Sequence, residues 1–305
     1  MAGNSKFAVY AALAGNLAIA GVKLAAFALT GASAMLTEAI HSAVDTGNQA
    51  LLLFGMARAA RLPDESHPFG YGMELYFWSF VVALMVFALG GGVSIYEGAV
   101  KIAHPAEIEN VWVNYLVLGS AIAFESASFF VARREFRKDG ATASLFRSIR
   151  LSKDPSIFAV LLEDGAALAG LAIALVGITA SQAFAFPQAD GIASVSIGLL
   201  LVAVAAFLAN ETRSLLAGEA AAPEVRRRIC ALAAADARVV SAPEVLTMHF
   251  GPHEIMAAIT IDFDDNIPGH EVERAARELS ARIRAEMPSI TRVFLRPLKE
   301  PAASA

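Results

Sequence analysis

Long apolar stretches alternate with short polar segments up to about Asn210, and each stretch has the length of a membrane-crossing helix. Such a helix needs roughly 20 mostly apolar residues. We predict six spans, at residues 7–30, 34–56, 75–100, 111–131, 155–180 and 190–210. The pattern therefore predicts an all-α membrane domain of six helices over residues 1–212.

The pattern changes after Asn210 to shorter elements with charged faces. Helices are predicted at residues 223–235 and 268–287, and strands at 244–250, 255–263 and 290–298. The second helix has an apolar face at three-to-four spacing, made of Val272, Ala276, Leu279 and Ile283. The segment "GPHE" is typical of a hairpin turn between the first two strands. We predict a small cytosolic α+β domain over residues 213–305, with the order α-β-β-α-β.

Composition and loop charges agree with a membrane protein. The 305 residues are 56% hydrophobic and only 17% charged, where a soluble domain is about a quarter charged. The loop after span 4, "RREFRKDGATASLFRSIRLSK", carries seven basic residues, and the loops after spans 1 and 5 carry none. By the positive-inside rule, both termini are cytoplasmic. We expect an integral protein of a bacterial inner membrane.

Several classes of function are excluded by what the chain does not contain. No basic block of the kind that binds nucleic acid is present. No His-Glu-x-x-His or nucleophile motif is present either, so we expect no enzyme. The single cysteine, Cys230, cannot form an intrachain disulfide.

Span 2 contains ionisable residues at helical spacing. His41 and Asp45 are four residues apart, so they stack on one helix face. Imidazole and carboxylate together suit Zn²⁺, Fe²⁺ or Mn²⁺. The alternative is a neutral buried His41 that hydrogen-bonds to Asp45.

Span 5 contains two adjacent carboxylates, Glu163 and Asp164, in an otherwise apolar run. Neighbours on a helix point about 100° apart, so we do not expect both to reach one ion. The alternative is an interfacial location where both are solvated. Elsewhere, Glu125 in span 4 either pairs with a neighbour or lines a polar path, and Lys23 in span 1 is expected to snorkel to the interface.

The loop between spans 2 and 3 places Asp64 and His67 three residues apart, in "PDESHPFGYG". On the cytoplasmic side such a pair is able to hold a metal in transit. The alternative is a turn with a solvated carboxylate.

The strings "SAMLTEAIHSAVDTGNQ", "HPFGYGMELYFW" and "DPSIFAVLLEDGAALAG", followed by the small α+β tail, resemble the cation diffusion facilitators over roughly residues 7–298. The resemblance implies a homodimeric exporter of divalent metal, usually Zn²⁺, driven by inward proton flow. It implies a transport site between spans 2 and 5, commonly with His-x-x-x-Asp on both. His41, Asp45 and Asp164 match that pattern.

The chain departs from the family pattern at three places. Val160 stands where the span 5 histidine is expected, so Glu38, Asn48, Glu163 or water must supply the fourth ligand. Asp64 and His67 match a second family site, but Tyr71 replaces its further histidine. In the tail, where family members hold a zinc cluster, His249 and His253 remain, and "FLRPL" replaces the usual "HVEP". The Glu163-Asp164 pair in place of His-x-x-x-Asp resembles a divergent branch of the family that includes zinc-transporter-like proteins of mitochondria.

The predicted function is proton-coupled export of a divalent cation by alternating access, with Zn²⁺ as the first candidate. Fe²⁺ and Mn²⁺ are alternatives because an oxygen-rich site tolerates them better than a two-histidine site does. A non-transporting dimeric family member is a further alternative, which Val160 motivates. No tightly bound cofactor is expected; the metal and protons are substrates, and the other partners are the lipid bilayer and a second copy of the chain.

Overall fold

The computed structural model describes residues 2–30, 33–105, 111–138, 148–149, 152–184 and 186–298. The chain divides into two compact units. The helical unit contains the chain up to Arg213 without residues 61–73. The sheet unit contains residues 61–73 together with the chain from Ser214 onward.

The helical unit consists of long helices. They are α1 (Ala2–Thr30), α2 (Ser33–Ala59), α3 (Glu74–Met85), a π-helical segment (Val86–Gly92), α4 (Val93–Ala103), α5 (Val111–Lys138), α6 (Pro155–Ala183) and α7 (Gln188–Leu216). Helix α2 packs along α1 and α3, and α5 packs against α1 and α6.

Five helical segments of the described chain are long and apolar enough to cross a membrane: α1, the α3–α4 segment, α5, α6 and α7. Helix α2 is not one of them, although it runs the full length of predicted span 2. The reason lies in its sequence, because Asp45, Asn48 and Gln49 interrupt the apolar run. Five of the six predicted spans are therefore supported by length and apolar character.

Predicted span 3 lies within a continuous helical segment, Glu74–Ala103, that is not uniformly α-helical. The helix widens into a π-helical segment over Val86–Gly92 before α4 begins. The glycines of this span allow close contact with α7. A Cβ atom at Gly98 would lie 2.7 Å from the carbonyl oxygen of Gly191, closer than real Cβ contacts come. Small residues thus let two helix backbones approach directly.

The sheet unit contains α8 (Pro223–Ala234), β1 (Val239–Gly251), β2 (Glu254–Phe263), α9 (Gly269–Glu286) and β3 (Ile290–Pro297). The strands lie in the order β1-β2-β3, with β1 antiparallel to β2 and β2 parallel to β3. Gly251 pairs with Glu254, which makes the predicted hairpin turn. Strand β1 begins five residues before its predicted start at Glu244, with register shifts near Ser241.

The core of the sheet unit lies between the sheet and its helices. Its members include Ile229, Leu232, Ile255, Ile259 and Ile283. The apolar face predicted for α9 overlaps its buried face without matching it: Ala275, Leu279 and Ile283 are buried, while Val272 and Ala276 are partly buried. The apolar face of α9 is wider than the face that is buried, and packing against the rest of the unit determines which apolar residues are buried.

Candidate metal centre

Helix α6 carries two buried carboxylates that point to different neighbours. The helix begins at Pro155, and the side chain of Asp154 accepts a hydrogen bond from the Ser156 amide at 3.0 Å. Aspartate before a proline at the first helical position is a strong start signal, so the register of α6 is defined locally. Glu163 and Asp164 follow in the middle of the helix, and both are buried.

Glu163 is held by two amide side chains of α2. Asn48 Nδ2 donates to Oε1 at 2.8 Å, and Gln49 Nε2 donates to Oε2 at 2.9 Å. Gln49 in turn accepts from Asn16 Nδ2 of α1 at 3.0 Å. A buried polar chain therefore joins α1, α2 and α6 through neutral donors.

Asp164 faces a different helix. Ser128 of α5 donates its hydroxyl hydrogen to Asp164 Oδ2 at 2.6 Å, and Asp164 is only 1% exposed. The adjacent carboxylates thus contact α2 and α5 respectively, which agrees with the 100° between neighbouring helix positions.

Further charges lie within electrostatic range of this pair. The carboxylate of Asp45 on α2 lies within electrostatic range of both Glu163 and Asp164. The carboxylate of Glu125 on α5 lies within electrostatic range of all three. Glu125 is buried, and Asp45 is partly buried. Four carboxylates from three helices therefore share one interior region, which is unfavourable unless protons or cations compensate them.

Lys23 does not snorkel as predicted. The side chain is 7% exposed, and its ammonium group donates to Ser42 Oγ at 3.0 Å. Its positive charge acts on Glu125. The prediction assumed that a lysine seven residues from the helix end reaches water, but packing between α1 and α2 turns it inward.

The structure describes some of the predicted metal ligands and not others. The side chains of Glu38 and His41 lie outside the part of the chain that the structure describes. Among the side chains that it does describe, no three histidine, cysteine, aspartate or glutamate groups gather as a metal site. Val160 is fully buried and has no ligand atom.

Asn48 offers an unused acceptor at this place. Its Oδ1 is buried and has no hydrogen-bond partner within the described residues, while its Nδ2 is bound to Glu163. Buried polar atoms are nearly always satisfied, so an orphaned carbonyl oxygen needs an explanation such as an ion or water.

The Asp64–His67 loop is organised differently. Asp64 Oδ1 accepts hydrogen bonds from the Ser66 amide at 3.0 Å, the Ser66 hydroxyl at 2.7 Å and the His67 amide at 2.8 Å. Oδ2 accepts from the Tyr71 hydroxyl at 2.6 Å. The Tyr71 bond first, then those from Ser66 and His67, hold the pKa of Asp64 well below its usual value. The carboxylate closes a local turn, which was the alternative reading of the sequence.

The same loop lies on the sheet. Arg292 of β3 donates to the Phe69 carbonyl oxygen at 2.9 Å, and its guanidinium lies over the Phe69 ring. Phe69 and Phe250 rings lie 5.4 Å apart. Gly72 is required here, because a Cβ atom would collide with the Phe250 carbonyl oxygen. The "HPFGYG" string therefore has a structural role within the sheet unit.

The two histidines of the tail differ in their exposure to solvent. His249 is 5% exposed, and its Nδ1 lies 3.3 Å from the Gly251 carbonyl oxygen. His253 is exposed in the hairpin turn. The missing ending "HVEP" leads us to expect that the tail does not hold the family's usual zinc cluster, and this stays a prediction.

Sequence reasoning missed Gln49, Ser128 and the role of Asn16. Each is a polar residue inside an apolar helix, which is the one signal that was available. Their partners lie 114, 36 and 33 residues away in the chain, for Gln49–Glu163, Ser128–Asp164 and Asn16–Gln49 respectively. Pattern alone does not pair such distant positions.

Comparison with known proteins places this architecture in a family. A family model described as the cation efflux transmembrane domain matches residues 9–217. The chain is 34% identical over 247 residues to the proton-coupled zinc antiporter SLC30A9, mitochondrial, of Xenopus laevis, over 80% of this chain and 44% of that protein. The human protein of the same name is 32% identical over 247 residues, 80% of this chain and 44% of that protein.

A plant protein is similar over a longer stretch. Metal tolerance protein C4 of Arabidopsis thaliana is 31% identical over 285 residues, 92% of this chain and 62% of that protein. The chain spans about half the length of the curated relatives it matches.

The helical unit combines apolar helices with buried polar side chains between them, and a small sheet unit contains the C-terminal part of the chain. The chain belongs to the cation efflux family, the cation diffusion facilitators. Two of the relatives above are named as mitochondrial, so the predicted bacterial inner membrane and cytoplasmic termini stay predictions.

Proposed function

We propose that this protein is a proton-coupled exporter of a divalent cation, with Zn²⁺ as its first substrate. The observation that carries the proposal is the group of four carboxylates, Asp45, Glu125, Glu163 and Asp164, in the interior of the helical unit. Ionisable groups inside membrane helices are costly and usually serve transport. The names of the zinc antiporter relatives support the choice of zinc and protons.

The proposed transport site consists of His41, Asp45 and Asp164, with Asn48 Oδ1 or Glu163 as the fourth ligand. Asn48 Oδ1 is supported by its lack of a partner among the described residues. Glu163 has both oxygens engaged by amides, so it would need to exchange one of those bonds to bind metal. Asp64 and His67 are assigned to loop structure, since four donors already engage Asp64.

Antiport follows from shared ligand atoms. Carboxylates and imidazole bind a metal only when they are deprotonated, so protons and metal compete for the same site. Facing the cytosol, the deprotonated site takes up the cation; facing outward, protons from outside displace it and return inward. Histidine suits this exchange because its ordinary pKa, about 6.5, lies close to working pH.

The proposal includes an arrangement in the membrane and in the dimer. Residues 1–212 form the membrane domain, and residues 213–305 form a cytosolic domain through which two copies associate. Both termini are cytoplasmic, in agreement with the basic loop after span 4.

The test is transport in proteoliposomes with an imposed pH gradient. Uptake of Zn²⁺, Fe²⁺ and Mn²⁺ is measured for the wild type, Asp45→Ala and Asp164→Ala. We expect proton-dependent Zn²⁺ uptake by the wild type alone. Equal uptake by all three proteins, for every metal, would show that this site does not transport.

One observation favours a second candidate, a non-transporting member of the family. Val160 stands at the family's histidine position and is fully buried, so α6 lacks that ligand. A wild type that is folded and dimeric but moves no metal would support this candidate over an exporter.

A further inference from the structure

Lys23 occupies an unusual place for a lysine on a membrane helix. It lies on α1, and packing leaves its side chain 7% exposed. The ammonium group donates to the hydroxyl of Ser42 on α2 at 3.0 Å, and Ser42 is itself buried. A buried ammonium is unfavourable unless anions compensate it, so a serine hydroxyl by itself does not explain this position.

One buried anion within electrostatic range of Lys23 is Glu125 of α5, which lies within range of the proposed ligands Asp45 and Asp164 without being one of them. Lys23 attracts Glu125, and the same Glu125 is repelled by Asp45 and Asp164. Ser42, the hydrogen-bond partner of Lys23, precedes Asp45 by three residues and therefore lies on the same side of α2. Lys23 thus brings one positive charge to the edge of a region with four carboxylates.

A lysine ammonium cannot ligate a metal, because it has three donor hydrogens and no acceptor. Its effect on a divalent cation is therefore repulsion through space, and the low dielectric of the interior strengthens that repulsion. At the same time it attracts the carboxylates when no cation is bound.

We infer that Lys23 is an affinity-setting residue, a built-in counterion that weakens the site's hold on a divalent cation so that the cation is released in each cycle. The inference rests on the proposed transport function. It assigns Lys23 a role in substrate affinity through charge, without contact with the metal.

The test uses the full chain and Zn²⁺ as the probe. Binding is measured by calorimetry in detergent, and heat that persists in Asp164→Asn is assigned to other sites and subtracted. We expect Lys23→Met to bind Zn²⁺ about 10- to 100-fold more tightly than the wild type, from loss of one charge at effective protein dielectric. In proteoliposomes the same variant should transport Zn²⁺ more slowly at saturation, because release becomes slow.

Matched variants separate charge from packing. Lys23→Arg keeps the charge, and Ser42→Ala keeps Lys23 while removing its hydrogen bond; both should bind Zn²⁺ within about threefold of the wild type, since neither changes net charge. Lys101→Met is the control for loss of a lysine elsewhere, because Lys101 pairs with Asp190 at 2.9 Å outside the carboxylate group. It should leave Zn²⁺ affinity unchanged. Lys23→Gln replaces Lys23→Met if the latter does not fold.

A merely structural role makes the opposite prediction, since loosened packing weakens binding. Unchanged or weaker Zn²⁺ binding by a folded Lys23→Met or Lys23→Gln, beside a wild type that transports Zn²⁺, would overturn the counterion role and leave the exporter intact. A wild type that binds no Zn²⁺ at Asp164 would overturn both.

Discussion

Two carboxylate sites of this protein look alike in sequence and differ in structure. Asp164 and Asp64 each match a metal-ligand position of the family. Asp164 receives its hydrogen bond from Ser128, on another helix. Asp64 receives four hydrogen bonds from residues within seven positions of itself.

The difference shows what makes a carboxylate available to a metal. A local turn that uses both oxygens holds Asp64 in one geometry, and a cation would need to break that turn. Asp164 has one neutral partner and repulsive carboxylates in range, so a cation improves its surroundings. The two aspartates therefore differ in their hydrogen-bond partners and not in residue type.

The largest expected effect is the difference in Zn²⁺ uptake between variants of Asp164 and Asp64. Asp164→Asn should lower Zn²⁺ uptake by more than about 100-fold, beyond the roughly 10- to 100-fold typical of losing an outer partner of a metal ligand. Asp64→Asn should change uptake little. Uptake by proteoliposomes measures both, and a severe loss in Asp64→Asn would place the loop in the transport path.

A smaller effect concerns the donor to Asp164. Ser128→Ala leaves a buried carboxyl oxygen without its hydrogen bond, which costs roughly 1–3 kcal/mol. Thermal unfolding in detergent should show this loss. Ser126→Ala, at a partly buried serine of the same helix, is the control, and equal stability of the two variants would contradict the prediction.

The loop gives a prediction of its own. Arg292→Met removes the donor to the Phe69 carbonyl and the cation above the Phe69 ring. Residues 61–73 should then be cleaved faster in limited proteolysis, by a few-fold. Arg296→Met, on the same strand, is the matched control, because the partners of Arg296 are Glu244 and Thr260, which lie outside the loop. Equal protection in both would show that Arg292 does not hold the loop.

The smallest effect is on the titration of Asp64. Its pKa lies below the ordinary value of 3.8 because the carboxylate is hydrogen-bonded in the folded loop. The loop is therefore stabilised fully above about pH 4, and this contribution is lost as pH falls below that value. Tyr71→Phe removes the largest cause, so the pKa should rise. The carboxyl carbon shift of labelled Asp64 measures it, and an unchanged pKa would refute the role of Tyr71.

Much of the fold could be predicted because it depends on local pattern. Apolar length predicted all five spans that the structure supports, and the strand predicted at residues 255–263 corresponds to β2, Glu254–Phe263. Helix α2 lies where span 2 was predicted, but its polar residues make it less apolar than the five helical segments that are long and apolar enough to cross a membrane. Local sequence patterns thus predicted the positions of helices and strands better than the surroundings of their side chains.

The candidate site was only half predictable. Asp45, Glu163, Asp164 and Asn48 were selected because ionisable or polar groups are rare inside membrane helices. Gln49 and Ser128 were missed, and Lys23 was placed at the interface. Nothing in the sequence of α1 says which neighbour turns a lysine inward.

The sequence by itself determined where helices and strands form and which positions carry carboxylates, since periodicity and apolar length act within a few residues. The tertiary structure alone decided the partners: Asn48 binds Glu163 across 115 residues, and β3 pairs in parallel with β2. Such pairs depend on how helices rotate and pack against one another. That is a property of distant surfaces, which no local pattern contains.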